Sequence, residues 1–242
     1  MKNKVLYRAM TFAVILGVMA LVIPMPADSV KPPGNEPRVT VLYAPGSNCL
    51  DPDDGAWALA SVSSYTMKHI NYTESACGGG SGYEQFTINV SAVHNGTDIC
   101  FRYEWPDVIP DTVIDDTDVF ADGVAIQIAL NSGNTALQMG TQNNPVNIMF
   151  WRADLPQPQN IIAGGIGTIQ PTPEAQNISH YQNWAGDQWT VIMSRPMAAA
   201  SDNQVEFTRG NTYSVVHANW EGWDFERDGH KTISNWEKMD IE

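Results

Sequence analysis

The chain has 242 residues, 43% of them hydrophobic and 17% charged, with a formal net charge of −14 at pH 7. A chain of this length can form a single all-β domain. The excess of acidic residues argues against nucleic acid or an anionic membrane surface as a partner, since both are negatively charged.

The N-terminal residues 1–29 are typical of a secretory signal peptide. Their basic, apolar and small residues are, in order, Lys2, Lys4 and Arg8, the run 10–23, and Ala27 and Ser29. The apolar run is shorter than the roughly 20 residues of a membrane-spanning helix. We therefore predict an exported protein, periplasmic or in an equivalent extracytoplasmic compartment, with its domain at 30–242 and no membrane span in the mature chain. A retained membrane anchor is the alternative.

Three cysteines, Cys49, Cys77 and Cys100, occur in this apparently exported chain. An oxidising compartment permits one disulfide and leaves one thiol, and the sequence does not indicate which pair forms. The chain contains no C-x-x-C-H, which excludes covalent haem attachment through that motif. The absence of any C-x-x-C argues against an iron–sulfur cluster or a structural zinc site.

Hydrophobic patterning predicts short strands joined by turns. The clearest signal is a hairpin at 86–105, where two alternating runs flank Asn95-Gly96, the dipeptide favoured in tight hairpin turns. Loops are predicted at 74–85, 106–122 and 155–176. Further strands are predicted at 38–44, 61–72, 123–130, 145–154, within 184–196, and at 213–223. This pattern indicates an all-β fold with few short helices, an antiparallel β-sandwich.

Two of these loops raise functional questions. In the acidic loop, Asp111, Asp115, Asp116 and Asp118 could hold a cation, but charge blocks of this kind usually stay hydrated. We interpret them as a solvated connection. The Pro/Gly-rich loop at 155–176 shows little periodicity, and loops of that length are often functional or wrap a partner.

The central block of the chain holds two apolar strands of different character. Residues 123–130 are almost continuously hydrophobic, as expected for a strand covered on both faces. Residues 145–154 alternate, with Val146, Ile148 and Phe150 on one side. Between the strands lies Met139, whose thioether would be useful as a ligand only to a soft centre such as haem iron or copper.

The block also matches a family pattern: F-x-D-x-V-A-x-Q, a Met-Gly loop, and N-P-V-x-I-x-x-W-x-A-D. The matching residues are Phe120, Asp122, Val124, Ala125, Gln127, Met139, Gly140, Asn144, Pro145, Val146, Ile148, Trp151, Ala153 and Asp154. Other matches are Arg102, Trp105 and Asp107; Gly165, Gly167 and Thr168; Trp189, Val191, Arg195 and Pro196; and Glu226, Arg227, Gly229, Lys231, Ser234 and Trp236. Together they resemble the haem b-binding γ subunit of the ethylbenzene dehydrogenase type, including those of dimethylsulfide dehydrogenases and of chlorate, selenate and nitrite oxidoreductases.

The resemblance implies a haem b iron held by Met139 on one side and Lys231 on the other. Imidazole is the commoner haem donor, so His230 is the main rival of Lys231, and His217 is a second competitor. Met149 is the rival of Met139, although it shares a strand phase with Trp151 and can face the core. Haem propionates need cationic or amide partners, and for these we predict Arg152 and Arg195.

The same resemblance implies an electron-transfer subunit that relays single electrons between an iron–sulfur/molybdenum complex and an external redox partner. The expected partners are an iron–sulfur β subunit, a molybdenum-containing α subunit and a soluble cytochrome c-type protein. No H-E-x-x-H, G-x-S-x-G or nucleophile–base pair suggests an active site of its own. The alternative is a haem-free, carbohydrate-binding-type β-sandwich, which would need exposed pairs among the eight tryptophans.

Overall fold

The structure, a computed structural model, describes residues 38–70, 87–114, 119–131 and 135–242. The predicted signal peptide, the loop at 74–85 with Cys77, and the acidic residues Asp115, Asp116 and Asp118 lie outside these ranges. Helical structure in the described ranges is limited to one 3₁₀ turn at Pro173–Ala175. In those same ranges there is no helix whose length and hydrophobicity would let it cross a membrane.

Within the described residues, fourteen strands form one continuous sheet in the order β10-β11-β5-β4-β1-β14-β12-β6-β7-β8-β9, with β2, β3 and β13 pairing at its sides. Their bounds are β1 Arg38–Tyr43, β2 Ser63–Thr66, β3 Lys68–Ile70, β4 Thr87–His94, β5 Asp98–Pro106, β6 Gly123–Ala129, β7 Val146–Arg152, β8 Gln159–Ala163, β9 Gln170–Pro171, β10 Ser179–Trp184, β11 Gln188–Pro196, β12 Thr212–Trp220, β13 Lys231–Ile233 and β14 Glu237–Ile241.

The long sheet folds over so that its two halves pack face to face. We call β10-β11-β5-β4-β1 the first half and β14-β12-β6-β7-β8-β9 the second half. Alternate residues of both halves enter one shared core, among them Tyr103 from β5 and Ile126 from β6. At one end of this core the rings of Trp105 and Trp151, one from each half, have centroids 6.2 Å apart. The predicted β-sandwich is confirmed.

Strand pairing is antiparallel throughout the described sheet except at β1, which runs parallel to both β14 and β4. The predicted hairpin is confirmed as β4 and β5, and the predicted strand at 213–223 as β12. The predicted strand at 61–72 divides at the fully buried Met67 into β2 and β3. Strand β2 pairs with β4 of the first half, and β3 pairs with β13, which itself pairs with β12 of the second half. The chain therefore crosses from the first half to the second at Met67.

Strand β8 corrects the prediction that 155–176 is entirely loop. The buried Asn160 looks like a loop residue in the sequence, yet its side chain accepts a hydrogen bond from Asn147 Nδ2 at 2.8 Å. Its main-chain N–H donates to Gln176 Oε1 at 3.0 Å. These polar groups find their hydrogen-bond partners on neighbouring segments, which the sequence around Asn160 does not show. The prolines and glycines that flank β8 therefore dominate the sequence pattern and suggest a loop.

A disulfide joins Cys49, in the loop after β1, to Cys100 on β5. Both half-cystines are buried, and with Trp57 they belong to a small apolar cluster separate from the main core. The structure therefore settles the pairing that the sequence left open.

Within the second half, strand β6 is buried on both of its faces. Every residue of β6 from Gly123 to Ile128 is buried, which confirms the prediction of a strand covered on both sides. In β7, Met149 and Trp151 enter the shared core, while Val146 and Ile148 belong to an outer apolar cluster. This outer apolar face is where the candidate site lies.

Candidate functional site

A cavity of about 420 Å³ lies on the outer face of the second half. Its volume is within the range typical of cofactor and ligand pockets. Segments around Leu137 and Asp228, together with Phe120 and Ile169, complete its lining. The floor is mostly apolar and is formed by Ala125 and Gln127 of β6, Ile148 and Phe150 of β7, Ile161 of β8, Val216 and Ala218 of β12, and Ile233 of β13.

Met139 lines this cavity from the loop between β6 and β7, and it is 8% exposed. Its backbone is in the left-handed region, with φ of 62°. Gln127, on the floor, holds the loop: its Oε1 accepts from Met139 N at 3.0 Å, and its Nε2 donates to Leu137 O at 2.9 Å. A strand side chain therefore fixes the position of a loop methionine.

The close packing around Gly140 explains why a glycine follows Met139. Its φ is +67°, and a Cβ here would lie 2.9 Å from Asn144 O and 3.0 Å from Val146 Cγ1. The loop at Gly165 packs on the same turn, because Gly165 N donates to Met139 O at 2.8 Å. Two separate stretches of the family pattern thus meet around Met139.

Lys231 opens β13 and lines the same cavity, 8% exposed. Its Nζ donates to Asp228 O at 3.1 Å and lies 5.1 Å from the ring centroid of Trp220. Burial lowers the pKa of Lys231 to about 8, although the negative charges of Asp228 and Glu226 act in the opposite direction. A larger fraction of Lys231 is therefore in the neutral amine form, which can bind a metal, than is usual for a lysine.

The rival residues do not line the cavity. His230 Nε2 faces His69 Nε2 at 2.8 Å, and its Nδ1 faces Phe225 O at 3.3 Å. Met149 is fully buried in the shared core on the opposite face of β7. His217, on the inner face of β12, contacts Tyr103 OH through Nδ1 at 3.0 Å. The structure thus brings Met139 and Lys231 together and leaves these three residues outside.

The two predicted propionate partners have different locations. Arg152 lines the cavity and forms an ion pair with Asp154, its Nη2 3.0 Å from Asp154 Oδ2. Arg195 lies on β11 in the first half, is 1% exposed and is not among the cavity residues. Its guanidinium donates to the carbonyls of Pro196 and Val205. Arg195 therefore lies away from the cavity, and its two Nη groups hold the loop after β11.

Sequence reasoning assigned no role to Arg227 or Glu226, and both line the cavity. The Arg227 guanidinium lies 4.7 Å from the ring centroid of Phe120. Glu226 is 2% exposed and accepts from Glu221 N at 2.9 Å, and its Oε1 lies 2.9 Å from His69 Nδ1. Burial raises the pKa of Glu226 to about 7. Both residues belong to the E-R-x-G-x-K pattern, and this was the signal in the sequence that could have identified them as cavity residues.

Comparison with known proteins identifies the family of this chain. The family model described as ethylbenzene dehydrogenase matches residues 54–171 and 158–232. The γ subunit of dimethylsulfide dehydrogenase from Rhodovulum sulfidophilum is 32% identical over 88% of this chain and 87% of its own length. The γ subunit of chlorate reductase from Ideonella dechloratans is 29% identical over 81% of each chain.

A third relative, a candidate heme subunit of a respiratory nitrate reductase from Haloferax mediterranei, is 30% identical over 62% of this chain. The match spans about half, 54%, of that relative's length.

Solved structures with the same fold include a candidate carbohydrate-binding protein from Bacteroides uniformis. That protein has a TM-score of 0.58 and 9% identity, covering 86% of this chain and all of its own. A family 9 carbohydrate-binding module from Caldicellulosiruptor kristjanssonii has a TM-score of 0.50 and 10% identity, covering 85% of this chain and 96% of its own. At such identities the likeness concerns the fold alone. The family match and the γ-subunit relatives establish that this chain belongs to the ethylbenzene dehydrogenase family.

Proposed function

We propose that this chain is the haem b-binding electron-transfer subunit of an oxidoreductase complex. The observation that carries the proposal is that Met139 and Lys231, distant in sequence, line one apolar cavity. The relatives named as γ subunits and as a heme subunit support a place in such a complex.

The residues of the cavity fit a haem. An apolar floor suits the macrocycle, and a thioether is a ligand for soft centres such as haem iron. Lys231 can donate to a metal only as a neutral amine, and burial already shifts it toward that form. Its Nζ would exchange the present contact with Asp228 O for the iron. Arg152 and Arg227 supply positive charge beside the cavity for the propionates.

Haem b supplies a one-electron couple between ferrous and ferric iron. Met139 and Lys231 would together hold the iron, which would leave no coordination position open to a small molecule. The thioether of Met139 favours the ferrous state and raises the potential. With haem bound, the apolar floor would keep water away from the iron, which would limit the solvent reorganisation that accompanies electron transfer. These features suit a relay rather than an independent catalyst.

We further propose that the chain is exported and works beside an iron–sulfur β subunit and a molybdenum-containing α subunit. A soluble cytochrome c-type protein is the proposed external partner. The signal-like N-terminus and the γ-subunit names of two relatives support this arrangement. The net charge of −14 suits docking to a basic partner.

The alternative, a haem-free sugar-binding module, draws support from the names of the structures that share the fold. Sugar binding of that type needs exposed pairs of tryptophan rings. All eight tryptophans lie in the described ranges, and Trp223 alone is exposed there, at 65%. Five are buried in the protein: Trp57, Trp105, Trp151, Trp189 and Trp236. The burial of these rings favours the haem proposal.

Substitution of the two ligands tests the proposal. Met139→Ala should lower haem retention or shift the midpoint potential downward, because the thioether is lost. Lys231→Ala should lower haem retention and change the low-spin spectrum. Absorption spectra, haem content and redox titration of the purified variants provide the measurements.

Met149→Leu and His230→Gln serve as matched controls, since neither residue lines the cavity. Both controls should keep the wild-type spectrum. Wild-type spectra in both Met139→Ala and Lys231→Ala, or a lost low-spin spectrum in His230→Gln, would show that the ligand assignment is wrong.

A further inference from the structure

Three carboxylates converge beside the cavity, away from the proposed haem ligands. They belong to Asp107 after β5, Asp122 before β6 and Glu221 after β12, and one oxygen of each lies within 4.8 Å of the others. Asp107 is 5% exposed and Asp122 is fully buried. Two of the three, Asp107 and Asp122, belong to separate stretches of the family pattern.

Among the described residues, the charge of this cluster is not neutralised by a basic side chain. None of the three carboxylates forms an ion pair with lysine or arginine within the ranges that the structure describes. Asp122 accepts from three neutral donors, Gly222 N at 2.9 Å, Trp189 Nε1 at 3.0 Å and Asp111 N at 2.7 Å, and its carboxyl is also within hydrogen-bonding reach of the Asp107 carboxyl. Buried charges of one sign are costly unless they are paired or coordinate a metal.

One oxygen of the cluster accepts no hydrogen bond from an N–H or O–H donor of the described residues. Asp107 Oδ1 accepts from Ile109 N at 2.8 Å, but the buried Asp107 Oδ2 has no hydrogen-bond partner. The same holds for Oδ2 of the neighbouring, half-buried Asp111. Such oxygens can accept a positive group, and the part of the chain that the structure describes does not supply one.

The electrostatics agree with the geometry. Burial raises the pKa of Asp122 to about 7 and that of Glu221 to about 9, and the neighbouring carboxylates add to both shifts.

The backbone around the cluster is tightly packed. A Cβ at Gly222 would lie 2.2 Å from Phe120 O and 2.7 Å from Asp111 Cβ. The segments that carry Asp111, Asp122 and Glu221 are therefore in direct contact, so their carboxylates have fixed relative positions.

We propose that Asp107, Asp122 and Glu221 bind a hard divalent cation, Ca²⁺, with the free oxygen of Asp107 as a ligand. Ca²⁺ takes oxygen ligands at about 2.3–2.6 Å, so two oxygens on opposite sides of it are separated by roughly 4.6–5.2 Å. The spacing of the cluster lies within that limit. Ca²⁺ also tolerates irregular ligand geometry, whereas Mg²⁺ requires a near-ideal octahedron. Phe120 and Ala121 line the haem cavity, so the cation would brace one edge of it.

Terbium luminescence tests the proposal without reference to haem. Tb³⁺ occupies oxygen-rich calcium sites, and the indole of Trp189, bonded to Asp122, is close enough to sensitise it. Added to the full chain freed of metal with EDTA, Tb³⁺ should give a saturable emission on tryptophan excitation, and Ca²⁺ should displace it. Asp107→Asn should weaken Tb³⁺ binding at least tenfold. Absent emission, or equal binding by wild type and Asp107→Asn, would overturn the site.

Thermal unfolding gives a second, independent readout. Ca²⁺ at 1 mM should raise the melting temperature of the wild type relative to EDTA, since a ligand that binds only the native state stabilises it. Asp107→Asn should lose this increase, yet in EDTA it should be at least as stable as wild type because a buried unpaired charge is gone. Asp202→Asn, an exposed position beyond the other end of β11, is the control. A wild-type melting temperature that Ca²⁺ leaves unchanged contradicts the proposal.

Discussion

At the scale of single residues, the candidate site depends on a short strained turn. Met139 has a positive φ, which non-glycine residues adopt infrequently, and Gly140 follows with a positive φ of its own. Gln127 and Gly165 hold this turn through hydrogen bonds to the main chain of Met139. The sequence singled out Met139 and Lys231 by resemblance. It could not locate Arg195, since a pattern of residue types does not show which half of a sandwich a side chain reaches.

Gly140→Ala should disturb the Met139 turn. The new Cβ would clash with the backbone of Asn144, and alanine is strained at a positive φ. We therefore expect a loss of roughly 2–4 kcal/mol in stability and weaker haem retention. Chemical denaturation and haem content are the measurements.

Gly210→Ala is the matched control, because Gly210 also has a positive φ but has nothing within 4 Å of its Cβ position. It should cost only about 1 kcal/mol and keep haem binding. Equal losses of stability in the two variants would show that the close packing around Gly140 is unimportant.

At the scale of strands, the site follows from a sheet that is apolar on both faces. The sequence predicted this for β6 from its continuous hydrophobicity, and alternation correctly separated Val146 and Ile148 from Met149 in β7. It did not predict β8, because the polar Asn160 is buried against Asn147 and Gln176, partners that are distant in sequence. The hydrophobic pattern of one segment shows which of its residues share a face of the sheet. The residues that they contact on other segments are known only from the folded structure.

Substitutions of alanine on the two faces should therefore differ in effect. Ala125 faces the cavity and Ala92 faces the shared core. Ala125→Leu should project into the cavity, lower haem retention and change the stability of the haem-free protein by less than about 1 kcal/mol. Ala92→Leu should cost about 1–3 kcal/mol through overpacking.

Denaturation of the haem-free proteins and reconstitution with haem measure the two effects. If Ala125→Leu took up haem like the wild type, the floor of this cavity would not be where haem binds.

At the scale of the whole molecule, the two halves of the sandwich enclose groups whose protonation couples to folding. His217, fully buried between Tyr65 and Tyr103, is the clearest case. Burial lowers the pKa of His217 to about 3. In the unfolded chain an imidazole titrates near 6.5, so below that pH the unfolded state binds more protons than the native state. The stabilisation from neutral His217 is complete above about pH 6.5 and declines as the pH falls toward 3.

We expect this residue to remove about 2 kcal/mol of stability between pH 7 and pH 5. Asp122 and Glu226, whose pKa values are raised to about 7, act in the opposite direction over the same range, so the difference between proteins is the useful quantity. His217→Gln should flatten the loss toward acid, as measured by urea denaturation at several pH values. His180→Gln, at a half-buried position on the edge strand β10, should change the profile much less. Parallel profiles for wild type and His217→Gln would contradict this account of the buried histidine.

We propose that this sandwich would hold haem b between Met139 and Lys231. The most direct measurement is a dithionite-reduced minus oxidised absorption spectrum, with a pyridine haemochrome assay, on protein taken from its native complex. We predict a b-type haemochrome and a sharp α-band that carbon monoxide leaves unchanged, because Met139 and Lys231 would leave no position on the iron open. A protein without haem, or a reduced spectrum shifted by carbon monoxide, would contradict the claim.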